Sequence, residues 1–291
     1  MTMEIYMRDD EIEVLGKKWE PKPDVGKRNS FFNIRWIIGI VTIICILILC
    51  GYVGVSVKDY REKQFEVQKL EENIQQDIPL NICDSKLTYK YDKGELNDVP
   101  LHIYSMEYFT AKLTMDETAM DLPPSENMMV TVLATDIRKD NLLPVGDFVV
   151  NGKQISRGKS RHGYCAIIHG NISIGYSEDD AVMDYCIKNG GSFFRQYPLI
   201  INGEICKNNI KGKKIRRALI KQGDKIYIVE SEHRESIHDF SEALQDLGVK
   251  NALNLPGGIN YMRLRGKDIS FENNKPDAGG NYLLFQPYTR K

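Results

Sequence analysis

The sequence lacks an excess of charge of either sign. Its 291 residues include 39 lysines and arginines against 40 aspartates and glutamates, which gives a formal net charge of −1. A chain without net positive charge has no general electrostatic attraction to nucleic acid, so a strongly basic nucleic-acid binder is excluded. Apolar residues make up 42% and charged residues 27% of the chain, a composition that excludes a collagen-like or largely disordered protein.

The cysteines lack any spacing that is typical of a metal site. The sequence contains 6 of them but neither a Cys-x-x-Cys pair nor a zinc-type set of Cys and His, so we predict no metal site. Two lie in an apolar run, and the others are Cys83, Cys165, Cys186 and Cys206. We predict that each of these is a small buried apolar side chain, with one disulfide bond as the alternative. The sequence leaves their pairing and any cofactor open.

One long uncharged run fills residues 36–57, between Arg35 and Lys58. At about 1.5 Å per helical residue, its 22 residues are long enough to cross a hydrocarbon core of about 30 Å. A cleaved signal peptide would have a shorter apolar core nearer the N-terminus, whereas 35 residues precede this run. A buried core helix is the alternative, but soluble helices of this length rarely lack every charge. The run therefore predicts an uncleaved, single-pass transmembrane anchor.

Basic residues are slightly more frequent before the anchor than after it. Within about 20 residues of the anchor, the preceding ones are Lys17, Lys18, Lys22, Lys27, Arg28 and Arg35, and the following ones are Lys58, Arg61, Lys63 and Lys69. Basic residues favour the cytoplasmic side of a membrane. We therefore predict that residues 1–35 are a cytoplasmic tail and that the C-terminal part is extracytoplasmic, in the periplasm or at the cell surface.

Residues 58–80 are rich in helix-forming residues and predict a solvated juxtamembrane stalk. Its apolar residues Tyr60, Phe65 and Val67 are too sparse for a sustained heptad seam. Weak pairing between the stalk helices of two copies is the alternative to a solvated helix. Residues 81–291 are then predicted to form one extracytoplasmic domain.

Within residues 81–291, short apolar runs alternate with turn signals, which predicts strands. Asn-Gly pairs occur in FVVNGKQI at 148–155 and in LIINGEIC at 199–206. Because Asn and Gly tolerate the positive φ angles of a type I′ turn, both segments are predicted β-hairpins. A third hairpin is predicted to turn at Gly223-Asp224.

Two helices are predicted among these strands. The first begins at Ser177 and ends near Gly190, and the second is capped by Ser236 and stops at Gly248. The elements do not alternate as a strict βαβ series. The predicted fold class is therefore α+β, with a mixed, largely antiparallel sheet and a few packed helices, preceded by one N-terminal transmembrane helix.

The strand that follows the second helix ends in an unusual turn. Residues 252–255 are apolar apart from Asn254, and Pro256-Gly257-Gly258 comes directly after them. Proline cannot donate to a strand ladder, and glycine lets a ligand approach the backbone closely. The turn is therefore a candidate binding site, and a purely structural turn is the alternative.

An ordered set of motifs leads up to the same turn. These are LPVGDFVVNGK at 143–153, YPLIINGEI at 197–205, Arg216 at the start of a hairpin, Glu232 and Arg234 after its second strand, Leu247-Gly248, and ALNL at 252–255. Over about residues 145–291 the chain thereby resembles the phosphodiester glycosidase family, whose members release a sugar such as N-acetylglucosamine from a phosphodiester. The resemblance implies a carbohydrate phosphodiester as the substrate.

The resemblance also implies roles for individual residues. Catalytic roles fall to Glu232 and Asn254, and substrate binding falls to Arg216, Arg234, Gly257, Gly258 and Asn260. A guanidinium matches two phosphate oxygens at once, and the amides of a glycine turn add hydrogen-bond donors. Further candidates for acid, base or phosphate contacts are Arg161, His162 and His233.

The turn departs from the family pattern at three positions. Pro256 stands where the family has an aspartate, Ile259 where it has a third glycine, and Asn260 where it has a serine. A proline can neither protonate a leaving oxygen nor stabilise positive charge at an anomeric carbon. A compensating acid is expected from Glu232, Glu204 or Asp147.

The sequence thus predicts a membrane-anchored phosphodiester glycosidase-like protein that hydrolyses or binds a sugar-1-phosphodiester in a surface glycan. The alternative is a catalytically degenerate relative that serves as a glycan-binding or assembly module in the cell envelope. A third hypothesis is a structural protein whose stalk helices pair. No nucleic-acid partner is expected, and the oligomeric state stays open.

Overall fold

Helix α1 runs without a break over Asn29–Gln76 in this computed structural model. The structure describes residues 29–76, 88–116, 130–158, 161–223, 225–257, 262–264, 267–268 and 280–287. The chain divides into two units, Met1–Val57 and Lys58–Lys291. Within α1, the segment Trp36–Glu72 is long and apolar enough to cross a membrane, since its most apolar stretch of 18 residues has a mean hydropathy of 2.7. The predicted apolar helix is therefore present, while its orientation stays a prediction.

The second unit contains the strands and two further helices. The strands are β1 (Thr88–Leu96), β2 (Val99–Glu107), β3 (Phe109–Thr114), β4 (Val130–Leu133), β5 (Phe148–Val150), β6 (Lys153–Ser156), β7 (Gly163–Ile168), β8 (Asn171–Tyr176), β9 (Ser192–Gln196), β10 (Pro198–Ile201), β11 (Glu204–Ile205), β12 (Arg217–Gln222), β13 (Lys225–Ser231), β14 (Asn251–Leu255), β15 (Met262–Leu264), β16 (Lys267–Asp268) and β17 (Tyr282–Pro287). The helices are α2 (Ala181–Lys188) and α3 (Ile237–Asp246).

These strands form three antiparallel sheets. A 7-stranded sheet has the order β1-β2-β13-β12-β14-β10-β11. Two 5-stranded sheets have the orders β16-β15-β4-β17-β3 and β6-β5-β9-β7-β8. The α+β prediction with a largely antiparallel sheet is therefore confirmed.

The three predicted hairpins are present. In the first, Asn151 and Gly152 have φ angles of +48° and +78° between β5 and β6, and in the second, Asn202 and Gly203 have +53° and +85° between β10 and β11. Both residues of each turn thus have the positive φ that type I′ geometry requires. Strands β12 and β13 form the third hairpin.

The predicted start of α3 is confirmed, and that of α2 is wrong. The Ser236 Oγ accepts a hydrogen bond from the Asp239 amide at 3.0 Å, which is an N-cap. Helix α2 begins only at Ala181. The backbone at Ser177 instead stays with the sheet, because its amide donates to the His162 carbonyl and its carbonyl accepts from the Arg195 guanidinium. This long-range contact overrides the local capping signal.

The core lies between the sheets of the second unit. One face of the 7-stranded sheet packs apolar residues against those of both 5-stranded sheets. The opposite face packs against α3 through Ala218, Ile220 and Ala252, which contact a cluster containing Phe240 and Leu244. The pleat therefore assigns alternate residues of β12 and β14 to two different environments.

The second half of α1 also packs against this unit. Leu70 is only 1% exposed and lies in a cluster with Tyr164, Val182 and Cys186. The Tyr164 hydroxyl donates a hydrogen bond to the Glu66 carboxylate at 3.3 Å. The segment that the sequence predicted to be solvated is therefore helical but docked, because Leu70 supplies an apolar contact that local periodicity does not reveal.

The cysteines of this unit that the structure describes are unbonded. Cys165 and Cys186 are buried and Cys206 is partly buried. Burial raises the pKa of the Cys186 thiol to about 12, which keeps it neutral. The prediction of small buried side chains is confirmed for Cys165 and Cys186, and Cys83 lies outside the described residues.

We expect that Leu70→Ala lowers the free energy of unfolding by about 2–5 kcal/mol, because it leaves a cavity in a closed apolar cluster. The matched control is Phe65→Ala on the same helix, where the side chain is 62% exposed, and its expected change is within about 0.5 kcal/mol. Urea unfolding of the full chain in detergent, followed by circular dichroism, measures both. Equal effects of the two substitutions would contradict the docked helix.

Candidate functional site

Three loops meet at one end of the 7-stranded sheet. The Arg216 amide donates to the Ser231 Oγ at 2.8 Å, which joins the chain before β12 to the chain after β13. A Cβ atom on Gly257 would lie 2.5 Å from the Ile215 carbonyl oxygen, so the turn after β14 packs directly on the same segment. The predicted residues Arg216, Glu232, Arg234 and Gly257 therefore gather here, while Gly258 and Asn260 lie outside the described residues.

The pleat sends Arg216 and Arg217 to opposite faces of this sheet. The Arg216 Nε donates to the Glu235 carbonyl at 2.9 Å, and its Nη2 donates to the Gly212 carbonyl at 2.6 Å. These N–H groups of Arg216 donate to backbone carbonyls of the neighbouring loops and do not face the core between the sheets. Arg217, the next residue, points to the face that packs against the other two sheets.

A buried ion pair marks the inner face at this end of the sheet. Arg217 lies directly opposite Glu230 in the register of β12 and β13. Its Nε donates to the Glu230 carboxylate at 2.5 Å, and its Nη1 donates to the Pro256 carbonyl at 2.8 Å. Arg217 is 0% and Glu230 is 2% exposed. The pair thereby connects the hairpin to the turn that begins at Pro256.

The row of charged residues continues across two more strands. Glu230 lies opposite His102 on β2, and His102 lies opposite Lys93 on β1. The Glu232 carboxylate lies 3.3 Å from the Lys93 Nζ and 3.7 Å from the His102 Nε2. Glu230 thus lies opposite His102 in the strand register, and the Glu232 carboxylate, two residues further along the chain, also lies close to the His102 ring.

The two carboxyl groups have pKa values shifted in opposite directions. Burial raises the pKa of Glu230 above its ordinary value, although Arg217 opposes this shift. The hydrogen bond and charge of Lys93 lower the pKa of Glu232. A carboxyl with a raised pKa suits proton donation, and one with a lowered pKa stays ionised. Glu230 is therefore the candidate proton donor, and Glu232 is the candidate carboxylate that stays ionised.

Asn254 lies on the other face of the sheet. It pairs with Ala218 in the register of β12 and β14, and Ala218 belongs to the cluster under α3. Its backbone amide donates to the Tyr197 carbonyl at 2.9 Å. The structure therefore does not bring the Asn254 side chain together with Glu230 and Arg217.

The other two candidate acids lie elsewhere. Asp147 is 0% exposed, and its carboxylate accepts from the Arg195 Nε at 2.7 Å and from the Gly158 amide at 2.9 Å. Glu204 is exposed in the hairpin of β10 and β11, at the edge of the 7-stranded sheet. Asp147 is thus occupied in holding Arg195.

Sequence reasoning missed four residues of this end of the sheet, namely Lys93, His102, Arg217 and Glu230. A signal for two of them was present. The third hairpin turns at residues 223–224, and counting back equally from that turn places Arg217 opposite Glu230. His102 and Lys93 come from strands far earlier in the chain, and no local pattern links them to the hairpin.

A separate groove of about 840 Å³ lies between α1 and the segment after β8. Its lining is mainly acidic and comprises Asp59, Arg61, Glu62, Lys63, Phe65, Glu66, Tyr176, Ser177, Glu178 and Asp179. An acidic lining does not favour an anionic ligand. Within the described ranges, no group of three or more His, Cys, Asp or Glu side chains could hold a metal ion.

Neither a family model nor a curated protein matches this sequence. Among solved structures, the chain is similar to the catalytic domain of zebrafish N-acetylglucosamine-1-phosphodiester alpha-N-acetylglucosaminidase, auto-inhibited by its pro-peptide. The identity is 14%, the match covers 71% of this chain and 85% of that chain, and the TM-score is 0.53. The chain is also similar to a hypothetical protein from Synechocystis, with 13% identity, coverage of 69% and 62%, and a TM-score of 0.55.

These identities establish a likeness of fold. The resemblance that the ordered motifs implied is confirmed at that level. The chain shares the fold of a phosphodiester glycosidase catalytic domain, and its second unit is preceded by a helix with the properties of a membrane span.

Proposed function

We propose that this protein is a membrane-anchored phosphodiester glycosidase that acts on a sugar-1-phosphodiester of the N-acetylglucosamine type in a surface glycan. The observation that carries the proposal is the row of Arg217, Glu230, His102 and Lys93 across neighbouring strands, with the Glu232 carboxylate beside Lys93 and His102, at one end of a sheet in this fold. The opposite pKa shifts of Glu230 and Glu232 agree with it. The substrate class is taken from the name of the zebrafish protein. The extracytoplasmic location is inferred from the larger number of basic residues before the apolar helix than after it.

In the proposed reaction, the bond between the anomeric carbon and the phosphate oxygen breaks. Glu230 in its protonated form donates its proton to the leaving phosphate oxygen, and the ionised Glu232 stabilises positive charge on the sugar. Water then adds to the anomeric carbon and gives a proton to the Glu230 carboxylate, so the products are a free sugar and a phosphomonoester. Of the other predicted residues, Arg234, Gly257, Gly258 and Asn260 remain proposed contacts of the substrate, whereas the catalytic role predicted for Asn254 does not fit its place on the opposite face of the sheet.

We expect that Glu230→Gln and Glu232→Gln each lower kcat for sugar release by about 10²–10⁴-fold, because each removes one proton-transfer or charge-stabilising group. The assay measures free N-acetylglucosamine released from its methyl phosphodiester by the full chain in detergent. Glu242→Gln is the matched control, since Glu242 lies on the exposed face of α3 beside His238. No release by the wild type, or equal rates in all variants, would refute the proposal.

The pH profile of kcat/KM provides a second measurement. The pKa of Glu230 is raised and that of Glu232 is lowered from the ordinary 4.5. Because Glu230 must be protonated and Glu232 ionised, activity falls as the pH rises through the first pKa and as it drops through the second. We expect a bell-shaped profile whose alkaline limb is lost in Glu230→Gln. An alkaline limb that Glu230→Gln leaves unchanged would contradict Glu230 as the acid.

A second candidate function is glycan binding without turnover. Pro256 favours it, because the family's aspartate is absent and the Pro256 carbonyl accepts from Arg217 instead. We expect that, if this function holds, the wild type binds the methyl phosphodiester in calorimetry but releases no sugar. Pro256→Asp would then fail to restore release. Sugar release by the wild type would exclude this candidate.

A further inference from the structure

Arg161 has hydrogen-bond donors that the protein does not use. The residue precedes β7 and is only 6% exposed. Its Nη2 donates to the Asp136 carboxylate at 2.8 Å, and its guanidinium carbon lies 4.6 Å from the centre of the Tyr197 ring. The N–H groups of its Nε and Nη1 are buried and have no hydrogen-bond partner. Buried donors are almost always paired, so unpaired ones require an explanation.

The polar groups around Arg161 are well paired. The Gln196 side chain is 0% exposed, donates to the Ala134 carbonyl at 3.4 Å and accepts from the Tyr197 amide at 3.1 Å. Asn281 is also fully buried and exchanges two hydrogen bonds with the Thr135 backbone. The Gln196 and Asn281 side chains thus have hydrogen-bond partners, whereas two donors of Arg161 do not.

The charge of Arg161 is also less completely balanced than that of other buried arginines. Arg195 and Arg217 face carboxylates that are themselves buried. The carboxylate that faces Arg161 belongs to Asp136, whose side chain is 52% exposed. A half-exposed carboxylate is screened by water and balances a buried cation weakly. Arg161 therefore retains both positive charge and free donors.

Arg161 is linked to the loops of the candidate site through Tyr197. The Tyr197 carbonyl accepts from the Asn254 amide, two residues before Pro256. The Pro256 carbonyl in turn accepts from Arg217. The residue whose ring supports the Arg161 guanidinium is thus joined by one backbone hydrogen bond to the strand that leads into the turn after β14.

We propose that Arg161 is the residue that binds the phosphate group of the substrate. This inference rests on the proposed function for the identity of the ligand. A phosphate presents several oxygens to the planar N–H groups of a guanidinium, and the Tyr197 ring holds that plane in place. Arg216, which the sequence favoured for this role, already donates its Nε and Nη2 to loop carbonyls.

Inorganic phosphate is the probe for the test, because it requires neither the sugar nor turnover. The full chain in detergent is titrated with phosphate at constant ionic strength, with sodium chloride as the reference, and the midpoint of thermal unfolding and the ³¹P resonance are followed. We expect phosphate to stabilise the wild type. Arg161→Gln should weaken phosphate binding by about 10- to 100-fold, the effect of losing charge-assisted hydrogen bonds.

Arg157→Gln is the matched control. Arg157 also pairs with a carboxylate, that of Asp180 at 2.6 Å, but its side chain is 57% exposed. It should keep the wild-type response to phosphate. Arg161→Lys retains the charge opposite Asp136 and serves as a second variant if Arg161→Gln does not fold, with weakened binding again expected. Equal phosphate binding by the wild type and either Arg161 variant, or no binding by the wild type, would overturn the inference.

The sugar-release assay separates this inference from the proposed function. A wild type that binds phosphate through Arg161 but releases no sugar supports the inference and refutes the enzyme. A wild type that releases sugar with a KM unchanged by Arg161→Lys supports the enzyme and refutes the role of Arg161.

Discussion

The buried ion pair of Arg217 and Glu230 is the interaction on which the candidate site depends. Removing two charges from water is costly, and the pair is stable only if its geometry is good and its other polar atoms are bonded. The register of the hairpin places Arg217 directly opposite Glu230, which gives the pair its geometry. A further N–H group of Arg217 is bonded to the Pro256 carbonyl. The same burial raises the pKa of Glu230, so the structural pair also creates a chemically distinct carboxyl group.

Charge is arranged locally in this nearly neutral chain. Arg217, Arg161 and Lys93 each face a carboxylate, but their partners differ in burial, and this difference sets what each cation can do. The Arg217 cation is enclosed beside a buried carboxylate, whereas the Arg161 cation beside a half-exposed carboxylate is more open to an incoming anion. Under the proposed function, an anionic sugar would therefore be bound by individual arginines and would not require a positive net charge.

Features set by neighbouring residues were predictable from the sequence. The Asn-Gly turns and the Ser236 cap depend on the φ preferences and side-chain oxygens of a few residues, and the fold class followed from them. The start of α2 was wrong because Arg195 holds the Ser177 carbonyl from a distant strand. Arg216 was favoured over Arg217 because a sequence does not state which face of a strand is buried. The docking of Leu70 likewise depends on partners more than 90 residues away.

A crystal structure with a phosphonate analogue of an N-acetylglucosamine phosphodiester would locate both halves of the proposed substrate at once. We expect the phosphonate oxygens to lie within hydrogen-bond distance of the Arg161 Nε and Nη1, and the sugar to lie at the end of the 7-stranded sheet beside Glu230 and Glu232. An analogue bound instead in the acidic groove beside α1, or a phosphonate that leaves the Arg161 donors unpaired, would contradict this expectation.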